Sequence, residues 1–507
     1  MKRLHTILSI ILTLLFFASS CSDKDRLLKL EGENIPIVSQ FVYDGLSLYY
    51  LWSDEMISKK PTENDTDPEK YFKSVLYKTD IDNTWSWITD DAEGLIADFA
   101  GEPKSFGYSI GGFYKIDNNI YALIRYVFDN TPASEAGIER LDLIGKINGQ
   151  PITLEPGPNN IAHRDIDILY GGNSATFTTY KFIESKIAEN KEVEVTPREI
   201  KTNPVLFYNV YTEGDKKIGY LFYTNFTSNY NKDLFEVFAK FKREEITDLV
   251  IDLRYNPGGG ITAASYLVSL FAPEDDVRNN TILTTLTYNK YLNNLYDKKK
   301  WSRSTKLGDY SEEEPNPLDA NLNLNKVYII ATDKSASASE LTTFCSRAIM
   351  GESNIIHIGG KTSGKYTASR TLHPYDSKYG QPVYIEEKLS VKQKEIFKNW
   401  AMQPIVAIYT DKDGKDFINP GYLEPDYPLE EGFGFLNLWK PLGDTQDVFL
   451  GKALYLITGD EKYKLFEPTQ TRSDKMQIKE FIPARDEAKP LHLDNITLAP
   501  KELIDIR

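Results

Sequence analysis

The spacing of apolar and polar positions changes character along the chain. From Ile35 to Phe99, aliphatic and aromatic residues recur at intervals of three and four, as in Phe41-Val42-Tyr43, Leu46 through Trp52, Tyr71-Phe72 and Val75-Leu76-Tyr77. That period predicts helices, interrupted by a loop at Pro61-Thr62-Glu63-Asn64-Asp65. From Ser105 to Pro197 the runs shorten to strand length. Tyr121–Phe128 reads as a strand and Thr131–Ile138 as a short helix stopped at Gly137. Leu143–Gln150 reads as two short strands around an Asn148-Gly149 turn. From Pro204 to Tyr427 strands and helices alternate. Ile218–Tyr223, Leu249–Leu253 and Val327–Ala331 are strand-like, the last two as continuous apolar runs of buried strands. Helices are predicted around Leu234, Phe238 and Phe241, over Ala263–Phe271, and over Ala338–Met350. This alternation predicts an α/β core. Residues 290–325 are polar and include Lys298-Lys299-Lys300, which predicts a solvated excursion or lid.

The N-terminus adds a processing signal. Lys2 and Arg3 precede a mostly apolar run from Ile7 to Phe17, too short to cross a ~30 Å hydrocarbon core. Ala18, Ser19 and Ser20 then lead to Cys21, the form of a secretory signal peptide. Ala18-Ser19-Ser20-Cys21 is similar to a bacterial lipobox, which implies lipidation of Cys21; an ordinary signal with an incidental cysteine is the alternative. The polar stretch 22–32 suits a tether.

Composition narrows the function classes. At 507 residues the chain is long enough for about three domains. Its 41% hydrophobic and 26% charged residues are those of a globular protein. A net charge of −15 argues against a nucleic-acid partner. Two cysteines exclude a disulfide-dense scaffold and a Cys-rich metal site, and histidines 5, 163, 357, 373 and 492 lie too far apart to form a metal motif. Cys345, within Leu341–Cys345, reads as a buried core thiol.

Three segments of the α/β region carry chemistry. Asp252-Leu253-Arg254-Tyr255-Asn256-Pro257-Gly258-Gly259-Gly260 follows an apolar strand. Consecutive glycines leave N–H groups uncovered, which suits either an oxyanion hole or a tight strand-to-helix turn. Ser335-Ala336-Ser337-Ala338-Ser339-Glu340 lies between a strand and a helix. Ser337 and Glu340 fit a capping box, and a serine at a helix N-terminus is also a candidate nucleophile. Gly359-Gly360-Lys361-Thr362-Ser363-Gly364-Lys365 is similar to a phosphate loop, but Tyr366 stands where Ser or Thr is required. Lys365 is either a surface lysine or a base kept neutral in a dry pocket.

Together and in this order, the three segments resemble the catalytic core of the C-terminal (tail-specific) processing peptidases, the S41 serine peptidase family, in its lipoprotein type with a PDZ domain. The resemblance implies Ser337 as nucleophile and Lys365 as general base. It implies backbone N–H groups of Gly258, Gly259 and Ala338 as oxyanion donors. Residues 105–197 resemble the family's PDZ domain, with Phe106-Gly107-Tyr108 as its carboxylate-binding loop. Tyr49-Tyr50-Leu51-Trp52 and Trp85-Ser86-Trp87-Ile88 are similar to the N-terminal domain of lipoprotein members, and Asn419-Pro420-Gly421 to Pro425-Asp426 to the family's closing segment. Many members carry a Gln four residues after the lysine to orient its amine; Ser369 stands there and is the candidate replacement, with Ser363 a second. Leu141-Asp142 stands where Gly-Asp is common.

The fold class expected is a multidomain α/β protein. It has a crotonase/ClpP-like peptidase core, an inserted PDZ-like β-rich domain and an N-terminal helical domain. The expected divisions are a signal peptide at 1–20, a lipidated tether at 21–34, the helical domain at 35–104 and the PDZ-like domain at 105–197. The peptidase core follows at 198–460 and a C-terminal extension at 461–507. The implied function is a serine endopeptidase acting on unfolded or C-terminally exposed proteins, with no metal or cofactor. The implied location is the bacterial cell envelope, as an outer-membrane lipoprotein held at the membrane through its lipid. A non-catalytic peptide- or ligand-binding lipoprotein on the same fold is the alternative.

Overall fold

The computed structural model describes residues 35–464, apart from 57, 117, 156–159, 184–185 and 432–438, together with the backbone of 478–482. The signal segment 1–20, the tether 21–34 with Cys21, and most of 461–507 lie outside the described residues.

The central sheet has six strands, in the order Val205–Glu213, Lys216–Tyr223, Asp248–Asp252, Val327–Ala331, Ile355–Gly359 and Tyr427–Pro428. Only the first pair is antiparallel; the remaining pairings are parallel. Parallel strands are covered on both faces, and here the period of two divides the side chains between two cores. Leu221, Leu249, Ile251 and Ile329 pack with Leu234, Phe238 and Phe241 of helix Asn231–Arg243, and with Leu267 and Leu341. Tyr220, Phe222, Val250 and Ile330 point the other way, onto Phe449, Leu450 and Leu454 of helix Val448–Thr458. Fully burying each such side chain contributes about 1.5–3 kcal/mol.

The N-terminal region forms helices Ile37–Tyr49, Pro68–Val75, Lys78–Asn83 and Ala92–Ala100. Phe41, Leu46 and Tyr50 share one continuous core with Leu372, Val383, Phe397 and Met402. A short strand, Trp87–Thr89, pairs with Ala401–Gln403 in register Trp87↔Gln403. These helices are therefore built onto the α/β region.

The stretch 290–325 differs from its expected solvated form. It contains helix Lys290–Lys299, whose Leu292, Leu295 and Tyr296 are buried, and Trp301 packs on Tyr296. The cause is an amphipathic helix: three apolar positions share one face while the lysines take the other. Asn289 anchors it by donating to the carbonyls of Leu48 (3.0 Å) and Tyr50 (2.9 Å).

Residues 104–199 make a β-rich unit with its own core, including Phe106, Ile110, Phe113, Ile144 and Phe177. Its ends meet through Ser105↔Arg198 and Lys104↔Glu199. Asn148 and Gly149 both have positive φ (49° and 75°), the geometry of a tight hairpin turn. The backbone of Ile478–Ile482 adds antiparallel to the outer edge of strand Tyr108–Ile116. Arg140 ties the unit to the α/β region: it donates to the carbonyl of Lys440 at 2.9 Å and pairs with Glu431 at 3.2 Å. Glu431 also accepts from Arg254 at 3.2 Å and from the Tyr255 hydroxyl.

Candidate active site

The three sequence motifs occupy the loops after Asp252, Ala331 and Gly359, the C-terminal ends of three adjacent parallel strands. Ligand sites of open α/β sheets form at that edge. Distant segments of sequence thus converge because their strands are neighbours.

Ser337 sits between strand Val327–Ala331 and helix Ala338–Met350, with φ 59° and ψ −110°. A non-glycine residue in that region is strained and persists only where its surroundings hold it. The flanking serines supply part of that hold. The Ser335 hydroxyl donates to the Leu253 carbonyl at 2.7 Å and accepts from the Thr332 N–H at 2.9 Å. The Ser339 hydroxyl donates to the Asn256 carbonyl at 2.8 Å.

The glycine turn lies directly against Ser337. Gly258 (φ 111°) leaves no room for a side chain: a Cβ there would stand 2.8 Å from Ser337 Cβ and 3.1 Å from the Ala338 nitrogen. Gly259 (φ 137°) is equally constrained, a Cβ meeting the Phe226 carbonyl oxygen at 2.2 Å. The Gly258 N–H is committed to Asn256 Oδ1 at 2.9 Å. Among the described residues, the N–H groups of Gly259 and Ala338 donate to no backbone carbonyl. Of the three expected oxyanion donors, these two are open.

Glu340 joins the Ser337 loop to the lysine loop. It is fully buried. Its Oε2 accepts from the N–H groups of Ser337 and Lys365, each at 2.8 Å. Its Oε1 accepts from the Gly364 N–H at 2.7 Å and the Thr362 hydroxyl at 2.5 Å. Burial pushes its carboxyl above the ordinary range, although all four hydrogen bonds pull down. The sequence marks Glu340 only as a helix-capping partner; the S-x-x-E spacing was the available signal, and its reach to the lysine loop is tertiary. The buried Tyr409 hydroxyl adds a second bridge, 3.3 Å from the carbonyl oxygens of both Ser337 and Lys365. Nothing in its local sequence marks Tyr409.

Lys365 is 3% exposed, so the surface-lysine alternative does not hold. It lies near Asp80, a buried carboxylate of the N-terminal helices. Burial pushes Asp80 up; hydrogen bonds from Ser86 and Tyr50, and the charge of Lys365, pull it back. Tyr366, the next residue along the chain, packs edge-on against Trp85 and Phe417. Ser369 is buried on strand Thr367–Ser369, where its hydroxyl accepts from Gln403 Nε2 at 3.1 Å. Ser363 uses its N–H on the Ser335 carbonyl at 3.0 Å.

In the β-rich unit, Phe106 is buried and stacks on Tyr108. Gly107 (φ 89°) has Thr131 where a Cβ would be. The Gly107 N–H is taken by Ser105 Oγ at 3.0 Å, and the Tyr108 hydroxyl donates to the Leu169 carbonyl at 2.7 Å. Cys345 is buried in its helix as expected, and burial pushes its thiol up, away from the reactive thiolate. Among the described residues no group of acidic, His and Cys side chains is arranged to hold a metal ion, and no helix is long and apolar enough to cross a membrane.

This fold, with a serine loop, a glycine turn and a lysine loop at one sheet edge, is that of a serine-type peptidase. Comparison with known proteins agrees. Residues 217–429 match the pattern described as "Peptidase family S41", and residues 38–87 match the "Peptidase S41 N-terminal domain". The chain belongs to the S41 peptidase family. It is 27% identical over 368 residues to a carboxy-terminal-processing protease of Bartonella bacilliformis, covering 70% of this chain and 75% of that one. A CtpA-like serine protease of Staphylococcus haemolyticus is 24% identical, over 52% of this chain and 47% of its own length. The chain thus spans about half of that staphylococcal relative. Among solved structures, an S41 protease from Bacteroides fragilis superposes with a TM-score of 0.62 at 25% identity, covering 83% of this chain and 97% of that one.

Proposed function

We propose that this peptidase is a Ser337–Lys365 endopeptidase of the bacterial cell envelope. Its substrates are proteins recognised near their C-termini by the PDZ-like unit. The observation that carries the dyad is the double clamp: Glu340 and Tyr409 each bond to the backbone of both Ser337 and Lys365.

The chemistry follows from these groups. Neutral Lys365 takes the proton from Ser337 Oγ as that oxygen attacks the peptide carbonyl carbon. The carbonyl oxygen becomes an oxyanion facing the N–H groups of Gly259 and Ala338 at the start of a helix, whose dipole adds favourable potential. Gly258 supports this by letting the turn approach Ser337 closely. The protonated Lys365 then gives its proton to the leaving amine, and the same base activates water to hydrolyse the acyl-enzyme.

Phe106-Gly107-Tyr108 opens the strand Tyr108–Ile116, and a substrate C-terminus docks in extended form at its Tyr108 end, away from the Phe113–Ile116 stretch that pairs with Ile478–Ile482. Cys21 carries the lipid that holds the mature chain at the outer membrane. The decisive assay compares wild type with Ser337→Ala and Lys365→Ala on an unfolded protein substrate. Both substitutions abolish cleavage, and wild-type turnover by either variant defeats the dyad. Cys21→Ser moves the protein from the membrane to the soluble envelope fraction; unchanged membrane association defeats the anchor.

A further inference from the structure

The strand that follows Phe106-Gly107-Tyr108 has two edges, and they are used differently. Strand Tyr108–Ile116 pairs along its whole length with Asn119–Val127, from Tyr108↔Val127 to Ile116↔Asn119. On its opposite edge the segment Ile478–Ile482 pairs antiparallel, from Ile478↔Ile116 to Ile482↔Phe113. Of the nine residues of the strand, Phe113–Ile116 are covered there, and the five from Tyr108 to Gly112 lie beyond the pairing.

The division falls beside a bulge. Ile110 faces Ile124 and Gly112 faces Leu123, so Gly111 is an extra residue on this strand. A bulge bends its strand and strengthens the local twist, which sets the covered stretch apart from the stretch nearest Phe106-Gly107-Tyr108. Pro483 follows Ile482 in the chain, and a proline has no N–H to donate to a ladder.

The direction of the added strand is informative. A peptide whose C-terminal carboxylate lies at Phe106-Gly107-Tyr108 and whose chain follows this edge runs from the Ile116 end toward the Tyr108 end. Ile478–Ile482 runs in that same direction on that same edge. Counting one peptide residue per strand position, it holds the places such a peptide would take from about the sixth residue back from its end. A sheet edge pairs with one strand at a time, so the two compete.

We infer that Ile478–Ile482 is a built-in competitor of the substrate tail. It restricts the PDZ-like unit to C-terminal segments of about five extended residues, and a longer extended segment enters only by displacing it. The inference rests on the reading of Phe106-Gly107-Tyr108 as a carboxylate-binding loop. Residues 465–477 join the strand to Lys464; a short tether of that kind holds it at an effective concentration of about millimolar, enough for a weak pairing to compete.

The test uses the full chain carrying Ser337→Ala, so that probes stay intact, with and without Glu480→Pro, which removes a ladder N–H and fixes φ at about −65°. The probes are fluorescein-labelled peptides of alternating valine and threonine with free C-termini, a short one of about five residues and a long one of about ten, read by fluorescence anisotropy. An amidated long peptide reports the carboxylate. The long peptide should bind the Glu480→Pro protein about threefold to thirtyfold more tightly than the protein with Glu480, the effect of removing a tethered competitor. The short peptide should bind both equally. Hydrogen exchange on the protein with Glu480 gives a second reading free of folding effects: saturating long peptide should speed exchange at the amides of 478–482, and the short peptide should leave it unchanged. Equal affinity of the long peptide for both proteins, or continued protection of 478–482 at saturation, would overturn the inference and leave the carboxylate loop in place. Long-peptide affinity that improves as the protein is diluted would assign the strand to a second copy and overturn it as well. No binding of either peptide to either protein, or binding indifferent to amidation, would instead remove the carboxylate-loop reading, and the inference with it.

Discussion

Replacing Glu340 with glutamine tests the central packing argument at nearly constant volume. The carboxylate accepts four hydrogen bonds, two at each oxygen. A carboxamide has one acceptor oxygen and one donor nitrogen. Its best placement keeps the oxygen on the N–H groups of Ser337 and Lys365 and turns the nitrogen toward Thr362, whose hydroxyl can rotate to accept. The Gly364 N–H is then left facing a donor. Losing one hydrogen bond to a charged acceptor costs about 1.5–3 kcal/mol, and the two retained ones weaken by roughly 1 kcal/mol each as the charge disappears. The total is about 3–5 kcal/mol. Urea denaturation of Glu340→Gln should show that loss in the transition of the α/β region, and kcat should fall at least tenfold because Ser337 and Lys365 lose their common clamp. Glu340→Asp, too short to reach both loops, should behave at least as badly. A Glu340→Gln protein within about 1 kcal/mol of wild type and with normal kcat would refute the view that this carboxylate registers the two loops.

Other outcomes follow from the same geometry. Gly258→Ala should remove activity and also lower stability, because at φ 111° the added methyl meets Ser337 Cβ at 2.8 Å and the Ala336 carbonyl oxygen at 2.9 Å; retained kcat in a folded variant counts against a role for the turn. Arg140→Ala removes one of three partners of Glu431, which keeps Arg254 and the Tyr255 hydroxyl, and should cost about 1.5–3 kcal/mol, with faster hydrogen exchange where residues 104–199 meet the peptidase region; unchanged exchange there would refute this docking role. For Asp447, burial pushes the carboxyl up, but the charge and hydrogen bonds of Arg254, the Leu450 N–H and Arg140 together pull it below the ordinary range. A lowered folded-state value means stability present above the unfolded value of about 3.9 and lost as pH falls below it. Asp447→Asn should therefore lower stability at neutral pH and flatten the acid limb of stability against pH; an unaltered limb would exclude this carboxylate as its source.

Much of the candidate site was legible because its signals are local. A buried strand, a turn needing glycine and a helix beginning at Ala338 are each written within about ten residues. The glycine turn and Ser337 read as following strands and Lys365 as lying in a glycine-rich loop; that this third loop also follows a strand, Ile355–Gly359, beside the other two is seen only in the fold. The sequence was less informative about polar partners. Glu340 looks like half of a helix cap, and that bond to Ser337 exists; its three other donors come from residues 22 to 25 positions away. In the stretch 290–325 the charged residues mask three apolar residues, Leu292, Leu295 and Tyr296, on one helical face.

Period, turn chemistry and motif order are short-range properties, and they determined the class of core and which loops are candidates to carry chemistry. Which polar groups meet in the interior is decided by strands and helices crossing far apart in the chain. Gln403 reaches Ser369 from 34 residues away, Ile405 meets Ser86 across 319, and Tyr384 donates to Asp44 across 340. Only tertiary structure makes those choices, because a buried donor or acceptor must find a partner wherever packing brings one, and a local pattern of apolar and polar positions does not say where that is.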